Sequence, residues 1–220
     1  MAEELSGKYG NYNVRFFGSS RSNSIVISGR IYDGNREVGE TTRTFTKAFD
    51  GSWSVHHDYL RLNDDAQGGG FSNAYYDELM AYYRRSGLTH IDIQAALSRG
   101  GYAWARRRFT WDPNQSVSYS VSNIRARMQQ ALDGVLQRID QATGNFTTDP
   151  PLSASDRLKV EAMMARMTNI NNPRLPTPHE ISNMSGDATD PTPPPGRAPR
   201  ANGLGVRIMQ GSNWYGILKL

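Results

Sequence analysis

The stretch that decides the fold is YLRLNDDAQGGGFS, from Tyr59 to Ser72. Strand-type residues end at Leu62, and three consecutive glycines come just before helical spacing begins at Phe71. Such glycines expose backbone N–H groups, and the positive end of the helix dipole lies behind them. The junction therefore predicts a turn that binds an anion such as a pyrophosphate, with a plain flexible turn as the alternative.

Upstream of this stretch, residues 11–62 alternate with the period of strands. Polar and apolar residues alternate around Val14, and Asp-Gly pairs at Gly34 and Gly51 mark turns between later runs. Alternation with β-branched and aromatic residues favours strands, and Asp-Gly favours tight hairpins. Four strands joined by short turns, the fourth from Trp53 to Leu62, therefore predict an antiparallel meander.

Downstream, the apolar period changes to that of helices. Apolar residues recur every three or four positions from Phe71, and Gly87 is a stop signal, which predicts an amphipathic helix. The remaining pattern predicts a strand, a short helix, a brief strand and two longer helices over Leu88–Gln94, Gly101–Arg107, Phe109–Trp111, Val121–Ile139 and Val160–Ile170. Ser153 or Ser155 is expected to cap the last helix. Strands followed by helices predict the α+β class.

Composition divides the chain further. It has 220 residues, no cysteine and 11 prolines, eight of them between Asn171 and Arg200. Without cysteine, disulfide scaffolds, thiolate zinc sites and cysteine nucleophiles are excluded, and a reducing compartment is natural. The proline-rich stretch has linker composition. Residues 203–220, with nine large apolar side chains, are expected to dock on their own domain or on another chain.

Charge and hydropathy favour a soluble, cytoplasmic protein. The 25 Lys and Arg exceed the 21 Asp and Glu by only four. The one dense basic run, at Arg99 and residues 106–108, is more typical of a solvated helix face than of a phosphate-binding surface, so nucleic acid is disfavoured as a partner. No apolar run approaches about 20 residues and no N-terminal signal pattern is present, so no membrane association is expected.

The glycine stretch resembles the acyl-CoA signature of the GNAT N-acyltransferase superfamily, which has Gln or Arg, two spacers, Gly, one spacer and then Gly or Ala. Gln67, Gly70 and Ser72 stand at these three positions. The element order over residues 11–111 resembles that fold, and Gly100–Arg106 is similar to GNAT-like modules of actinobacterial and phage-associated proteins. The resemblance implies a mixed, mostly antiparallel sheet with flanking helices.

The resemblance also implies a cofactor, acetyl-CoA or another acyl-CoA. In the family, the fourth and fifth strands splay apart and their backbones hold the pantetheine arm, while N–H groups of the loop hold the pyrophosphate. The residues thereby implied to bind the cofactor are Leu60, Leu62, Gln67, Gly68, Gly69, Gly70, Phe71 and Ser72. Gln67 departs from the usual arginine, and Asp64 and Asp65 add negative charge just before it.

The candidate acid departs from the family pattern as well. Trp104 stands where family members carry a tyrosine that protonates the leaving thiolate, and Arg108 replaces the glycine that follows. Tyr102 is the nearest hydroxyl and therefore the candidate acid. Its displacement by two residues turns it about 200° around a helix, so it is not a simple substitute.

Acyl transfer to an amine needs a base near the attacking nitrogen. His56 and His57 on the fourth strand are the candidates, and strict alternation places His57 with Val55 and Tyr59 on one face. We select His57 because Tyr59 makes that face more typical of a cleft; two structural histidines are the alternative. A metal site is not expected, because the other histidines, His90 and His179, lack paired-ligand spacing.

These features predict four segments and two competing functions. The segments are a GNAT-like domain (1–112), a helical extension (113–170), a Pro-rich linker (171–202) and an apolar docking tail (203–220). The first function is N-acyltransfer from acyl-CoA to an amine-bearing small molecule or peptide, by direct attack in a ternary complex. The second is a catalytically inactive GNAT-like module in a phage-derived or toxin-associated assembly. In either case residues 203–220 could contact a protein partner or a second copy of the chain.

Overall fold

The computed structural model describes residues 1–67, 70–95, 100–139, 145–187 and 203–220. They form a mixed α+β fold and divide into two compact units, Met1–Ile93 with Leu218–Leu220, and Gln94–Ile217. The helices are α1 (Ala2–Leu5), α2 (Phe71–Arg85), α3 (Gly100–Arg106), α4 (Val117–Leu132), α5 (Ala154–Arg166), α6 (Pro178–Ser182) and α7 (Gly203–Met209). The strands are β1 (Gly7–Tyr9), β2 (Tyr12–Arg21), β3 (Ser24–Asp33), β4 (Arg36–Lys47), β5 (Trp53–Leu62), β6 (Leu88–Ala95), β7 (Thr110–Trp111), β8 (Gln137–Ile139), β9 (Phe146–Thr148) and β10 (Trp214–Lys219).

The first unit is built on a sheet in the order β1-β2-β3-β4-β5-β6. Neighbouring strands from β1 to β5 are antiparallel, so the predicted meander is confirmed. β6 follows α2 and pairs with β5 in parallel, because a helical crossover returns the chain in the same direction. The predicted helix after the glycines and the strand that follows it are also confirmed.

α2 covers one face of this sheet with an aromatic stripe. Its buried residues include Phe71, Tyr75 and Tyr83. The ring of Tyr83 meets the ring of Phe45 edge-on at 5.9 Å, and Phe71 stacks on Tyr75 at 5.1 Å. The opposite face alternates to polar side chains, as expected for an antiparallel sheet covered on one side. The core of the first unit therefore lies between the meander and α2.

The second unit contains α3 to α7, with β7 paired antiparallel to β10 and β8 paired antiparallel to β9. Every residue of α7 is buried, and Trp214 at the start of β10 is fully enclosed. Gly101 explains how closely α3 approaches the residues that end α7. A Cβ at that position would lie 2.4 Å from the carbonyl oxygen of Met209 and 2.4 Å from Ser212 Oγ. The apolar tail thus packs within its own chain.

Two parts of the second unit differ from the sequence prediction. The helix predicted over Val121–Ile139 ends at Leu132, because Gly134 adopts the left-handed conformation (φ 72°) that stops a helix, and the chain continues into β8. The proline-rich stretch holds a helix, α6, whose Ile181 is fully buried. Ser153 is the N-cap of α5, as one of the two alternatives predicted. Residues 188–202 lie outside the described residues.

Within the described ranges, no helix combines the length and the apolar character that crossing a bilayer requires.

Candidate functional site

β5 carries a β-bulge at Asp58. Thr42 of β4 pairs with Tyr59, but the next residue, Arg43, pairs with His57, so Asp58 is an extra residue on β5. A bulge bends its strand, increases the local twist and disrupts the ladder. The bend therefore falls in the middle of the strand to which the sequence assigns the site.

The bulge changes which side chains share a face. Strict alternation predicts His57 and Tyr59 on one face and Leu60 on the other, and this prediction is wrong. The extra residue turns Tyr59 away from His57 and brings Leu60 to the face of His57. Tyr59 is accordingly 44% exposed, whereas His57 is 3% exposed. Asp58 accepts a hydrogen bond from Thr44 Oγ1 at 3.0 Å on the exposed face.

β5 and β6 are paired over only part of their length. Their parallel ladder begins at Trp53 and Leu88 and ends at His57 and Ile93, while β5 continues to Leu62. Beyond the ladder, β5 still pairs with β4 on one side. Among the described residues, the other edge of β5 has no partner on β6 beyond this point, although the carbonyl groups of Tyr59 and Leu62 accept side-chain hydrogen bonds. The ladder ends just where the bulge begins.

A histidine–aspartate pair lies at the last rungs of this ladder. His56 and Asp92 are direct partners across β5 and β6, and His56 Nδ1 is hydrogen-bonded to Asp92 Oδ2. The side chains are 35% and 29% exposed. Among the described residues, His56 Nε2 has no hydrogen-bond partner. When Nδ1–H donates to Asp92, Nε2 is therefore the nitrogen that can accept a proton.

Charge around His56 favours its protonated form. The hydrogen bond that His56 donates to Asp92 raises the pKa of His56 above its ordinary value. Partial burial and the charge of Arg43 oppose the shift, and the charges of Asp92 and Asp58 add to it. His56 therefore loses its proton at a higher pH than an ordinary histidine. The two carboxylates also make this part of the exposed face attractive to a cationic ligand such as an ammonium group.

This pair could not be predicted from strand periodicity alone, because periodicity does not give the register of β5 against β6. One signal was present in the sequence. Asp92 stands between Ile91 and Ile93, which are both buried, so its carboxylate lies on the other, more exposed face of β6. Pairing two strands that are separated by a whole helix, however, needs the three-dimensional structure.

His57, the base predicted from sequence, lies in the core under α2. Its Nε2 is 3.1 Å from the hydroxyl of Tyr83, and the two rings are 5.7 Å apart. Burial raises the pKa of Tyr83, so this hydroxyl stays protonated. A catalytic role for His57 stays a prediction, and it would require an acceptor to reach a side chain that is enclosed by the sheet and α2.

The turn before α2 presents the helix N-terminus predicted to hold phosphates. Gly70 is the N-cap and adopts a left-handed conformation (φ 82°), and a Cβ there would meet no atom within 4 Å. Phe71 is 2% exposed and anchors the first turn in the core, whereas Ser72 is exposed. Gly68 and Gly69 lie outside the described residues.

Two polar residues before the glycines have structural partners. Gln67 Nε2 donates to the carbonyl oxygen of Leu62 at 3.1 Å, which ties the turn to the end of β5. Asp65 forms an ion pair with Arg36 at 2.5 Å, and this hydrogen bond lowers the pKa of Asp65. Arg36 therefore balances the negative charge of Asp65, which is one of the two acidic residues just before Gln67. Leu60 and Leu62 are half-buried along the strand.

In the second unit, Tyr102 lies in α3 and is 7% exposed. Arg108, at the position of the family's glycine, has a left-handed conformation with φ 67°. Phe109 N–H donates to the carbonyl of Trp104 and Arg108 N–H to that of Ala105, a Schellman motif, and the rings of Phe109 and Trp104 pack at 5.2 Å. The backbone thus keeps a turn that favours glycine although the side chain is arginine. Arg99 lies outside the described residues.

Metal-ligating side chains do not gather in the described ranges: no group of three or more His, Asp or Glu there could hold a metal ion.

Comparison with known proteins finds similarity among solved structures. No family model matches the chain, and no curated protein matches it. A solved structure described as a tandem GNAT protein from the clavulanic acid biosynthesis pathway, without acetyl-CoA, is similar with 16% sequence identity and a TM-score of 0.36. The match covers 43% of this chain and 31% of that chain, so this chain spans about a third of the other protein. A match of this size assigns neither a family nor an activity.

Proposed function

We propose that the chain is an acyl-CoA-dependent N-acyltransferase of GNAT type that moves an acetyl or longer acyl group directly to an amine. The observation that supports this proposal is the His56–Asp92 pair at the end of the β5–β6 ladder. An imidazole held by a carboxylate is a common arrangement for a general base. Next to it, an unpaired strand edge offers backbone hydrogen bonds to an extended ligand.

In this proposal His56 is the base and Asp92 positions it. When the amine nitrogen bonds to the acyl carbon, the bond from that carbon to the thioester sulfur breaks. The proton that the amine loses passes to His56 Nε2 while Nδ1–H donates to Asp92, and the thiolate that leaves takes a proton from solvent. The carboxylate stabilises the imidazolium that forms, and Asp58 adds negative charge on the same face. The acceptor is an amine-bearing small molecule or peptide, since the two carboxylates attract its ammonium form before deprotonation.

The residues along β5 and α2 fit an acyl-CoA, which when bound supplies the acyl group as a thioester. The free edge of residues 58–62 would hold its pantetheine arm, with Leu60 and Leu62 as half-buried neighbours. The start of α2 would hold its phosphates, because Gly70 leaves open space there and carries no side chain to cap the helix. Arg36 balances the charge of Asp65 nearby.

A second candidate is a catalytically inactive GNAT-like module within a phage-derived or toxin-associated assembly. Trp104 favours it, since an indole cannot donate the proton expected at that position. The burial of Tyr102 favours it as well, because a hydroxyl that is 7% exposed is poorly placed to act as an acid.

Calorimetric titration with acetyl-CoA separates the two functions. Binding at one site should stabilise the fold by about 2.7 kcal/mol at a hundredfold excess over the dissociation constant. With a panel of primary amines, release of free CoA reports transfer. Absence of binding at millimolar acetyl-CoA would exclude the enzyme and favour the inactive module.

Two variants assign the base if binding is found. His56→Gln should leave acetyl-CoA affinity within about twofold and reduce transfer roughly 10²- to 10⁴-fold. His90→Gln is the matched control, because His90 lies on the same face of the ladder two rungs before the His56–Asp92 pair, opposite Ser54. A fully active His56→Gln enzyme together with an inactive His57→Gln enzyme would return the role of base to His57.

A further inference from the structure

Arg43 is a charged side chain enclosed in the core of the first unit. It is 2% exposed, and its Nε has no hydrogen-bond partner among the described residues. Within the same residues, no carboxylate lies at ion-pair distance from its guanidinium. Burying a cation without a counter-ion is costly, and an apolar side chain of similar volume would avoid that cost. An arginine at position 43 therefore indicates a function that needs a guanidinium and that an apolar side chain could not perform.

The hydrogen bonds of Arg43 point to that function. One nitrogen, Nη1, donates to the carbonyl oxygen of Thr42 at 2.6 Å and to that of Tyr59 at 2.8 Å. Thr42 and Tyr59 are the pair that borders the bulge at Asp58. A bulge interrupts the ladder, so carbonyl groups next to it need other donors. Arg43 supplies them from one side chain.

The surroundings hold the guanidinium in this place. Its Cζ lies 5.7 Å from the centre of the Tyr75 ring, a cation–π contact in a water-poor site. The Tyr75 hydroxyl donates in turn to Thr41 Oγ1, and Thr41 Oγ1 donates to the same Tyr59 carbonyl at 2.9 Å. Arg43 and Thr41 thus converge on one oxygen of β5.

We infer that Arg43 is a positioning residue that fixes the bulge at Asp58 and thereby keeps the edge of residues 58–62 apart from β6. Without the guanidinium, the carbonyl oxygens of Thr42 and Tyr59 lose a hydrogen-bond donor, so the backbone around the bulge opens more readily and the edge of residues 58–62 loses its fixed position. The consequence for acyl-CoA rests on the proposed function, whereas the hold on the bulge does not. Arg43 touches neither His56 nor any reacting atom in this role.

Hydrogen exchange and acetyl-CoA affinity test the inference together. Arg43→Met keeps the volume and removes the donors, so amide exchange across residues 58–62 should rise at least tenfold while α2 amides change less than twofold. The dissociation constant for acetyl-CoA should rise at least tenfold. Arg43→Lys keeps a cationic donor and should stay within about threefold of wild type in both measurements, which a packing role would not explain.

Arg30→Met is the matched control, since Arg30 is exposed on β3 and forms an ion pair with Glu37. It should change neither measurement. A folded Arg43→Met protein with wild-type exchange over residues 58–62 would overturn the inference. If that protein binds acetyl-CoA normally, the proposed function still stands; if wild type binds no acetyl-CoA but exchange changes as expected, the proposed function fails and the role of Arg43 stands.

Thr41→Val keeps the test decisive if Arg43→Met does not fold. It removes the other donor to the Tyr59 carbonyl and leaves Arg43 in place. Exchange over residues 58–62 should then rise less than threefold, because the guanidinium still holds that oxygen. A tenfold rise would show that the hydroxyl holds the bulge, and it would overturn the inference.

Discussion

At the scale of single residues, His56 gains its chemical character from Asp92 and not from its neighbours in sequence. His57 is adjacent along the chain, yet it lies on the buried face and contacts Tyr83. Two consecutive histidines on one strand thus have different environments, because successive side chains point to opposite faces. The sequence predicted that only one of them could face a substrate, but it did not reveal which face would carry a carboxylate.

The His56–Asp92 pair makes stability depend on pH. The folded pKa of His56 is raised above its unfolded value of about 6.5, so the pair stabilises the fold fully below that pH. This contribution is lost as pH rises through the raised folded pKa. Urea unfolding across pH 5.5–9 should therefore show that the free energy of unfolding of wild type falls as pH rises, and that this fall is absent in Asp92→Asn. NMR titration should find a lower His56 pKa in that variant. Asp77→Asn, at an exposed position of α2, should behave like wild type.

Arg108 affects stability through its backbone conformation and not through the type of its side chain. It occupies a left-handed position that costs a non-glycine residue about 1–2 kcal/mol. Arg108→Gly should therefore raise the free energy of unfolding by roughly 0.5–1 kcal/mol after the entropy of glycine in the unfolded chain is subtracted. Ala103→Gly, within the preceding helix α3, should lower it by about 1 kcal/mol. Equal losses in the two variants would mean that the Arg108 side chain makes a compensating contact.

At the scale of elements, the meander and α2 were predictable because each carries its own period and its own turn signals. The bulge was not, since alternation assumes a regular pleat and one extra residue reverses every later side chain. Gly134 ends α4 although apolar residues continue at helical spacing, and Leu136 is instead buried next to β8. For the same reason the sequence could place candidate residues on β5 and at the start of α2, but it could not show which of them share a face or that His56 pairs with Asp92.

The packing of α3 against α7 depends on the absence of one methyl group. Gly101→Ala would place a Cβ 2.4 Å from a backbone oxygen of Met209, which cannot move without shifting the helix. We expect a loss of roughly 1–3 kcal/mol in the free energy of unfolding. Gly7→Ala is the control: no atom lies within 4 Å of its Cβ, so its effect should stay within about 0.5 kcal/mol. Chemical denaturation of both variants measures the difference, and equal values would contradict the close approach.

At the scale of the whole molecule, residues 203–220 are part of the core rather than an appendage. Trp214 is fully buried, donates from Nε1 to the Gly101 carbonyl at 3.3 Å and meets Trp111 edge-on at 5.8 Å. The composition of the tail predicted that it would dock, but not where. The docking position depends on a glycine in α3, far away along the chain.

Trp214→Ala should cost about 3–5 kcal/mol, as for other large aromatic side chains removed from a core. Tyr215→Ala, at a half-buried position beside Tyr119, should cost roughly 1 kcal/mol. Because the tail packs within its own chain, the melting temperature of wild type should not depend on protein concentration. A midpoint that rises with concentration would indicate that the tail docks on a second copy instead.

The contact between Gly101 and Trp214 also sets when the second unit can fold during synthesis. These residues are separated by 113 positions, and a pairing so distant forms only after a long loop closes. Ribosomes add about 5–20 residues per second, so α3 waits on the order of 5–20 s for its partner to emerge. During that time the face of α3 that packs against α7 has no partner and is exposed to water. The nascent chain therefore presents an apolar surface that chaperones could bind, and one that the finished protein no longer offers.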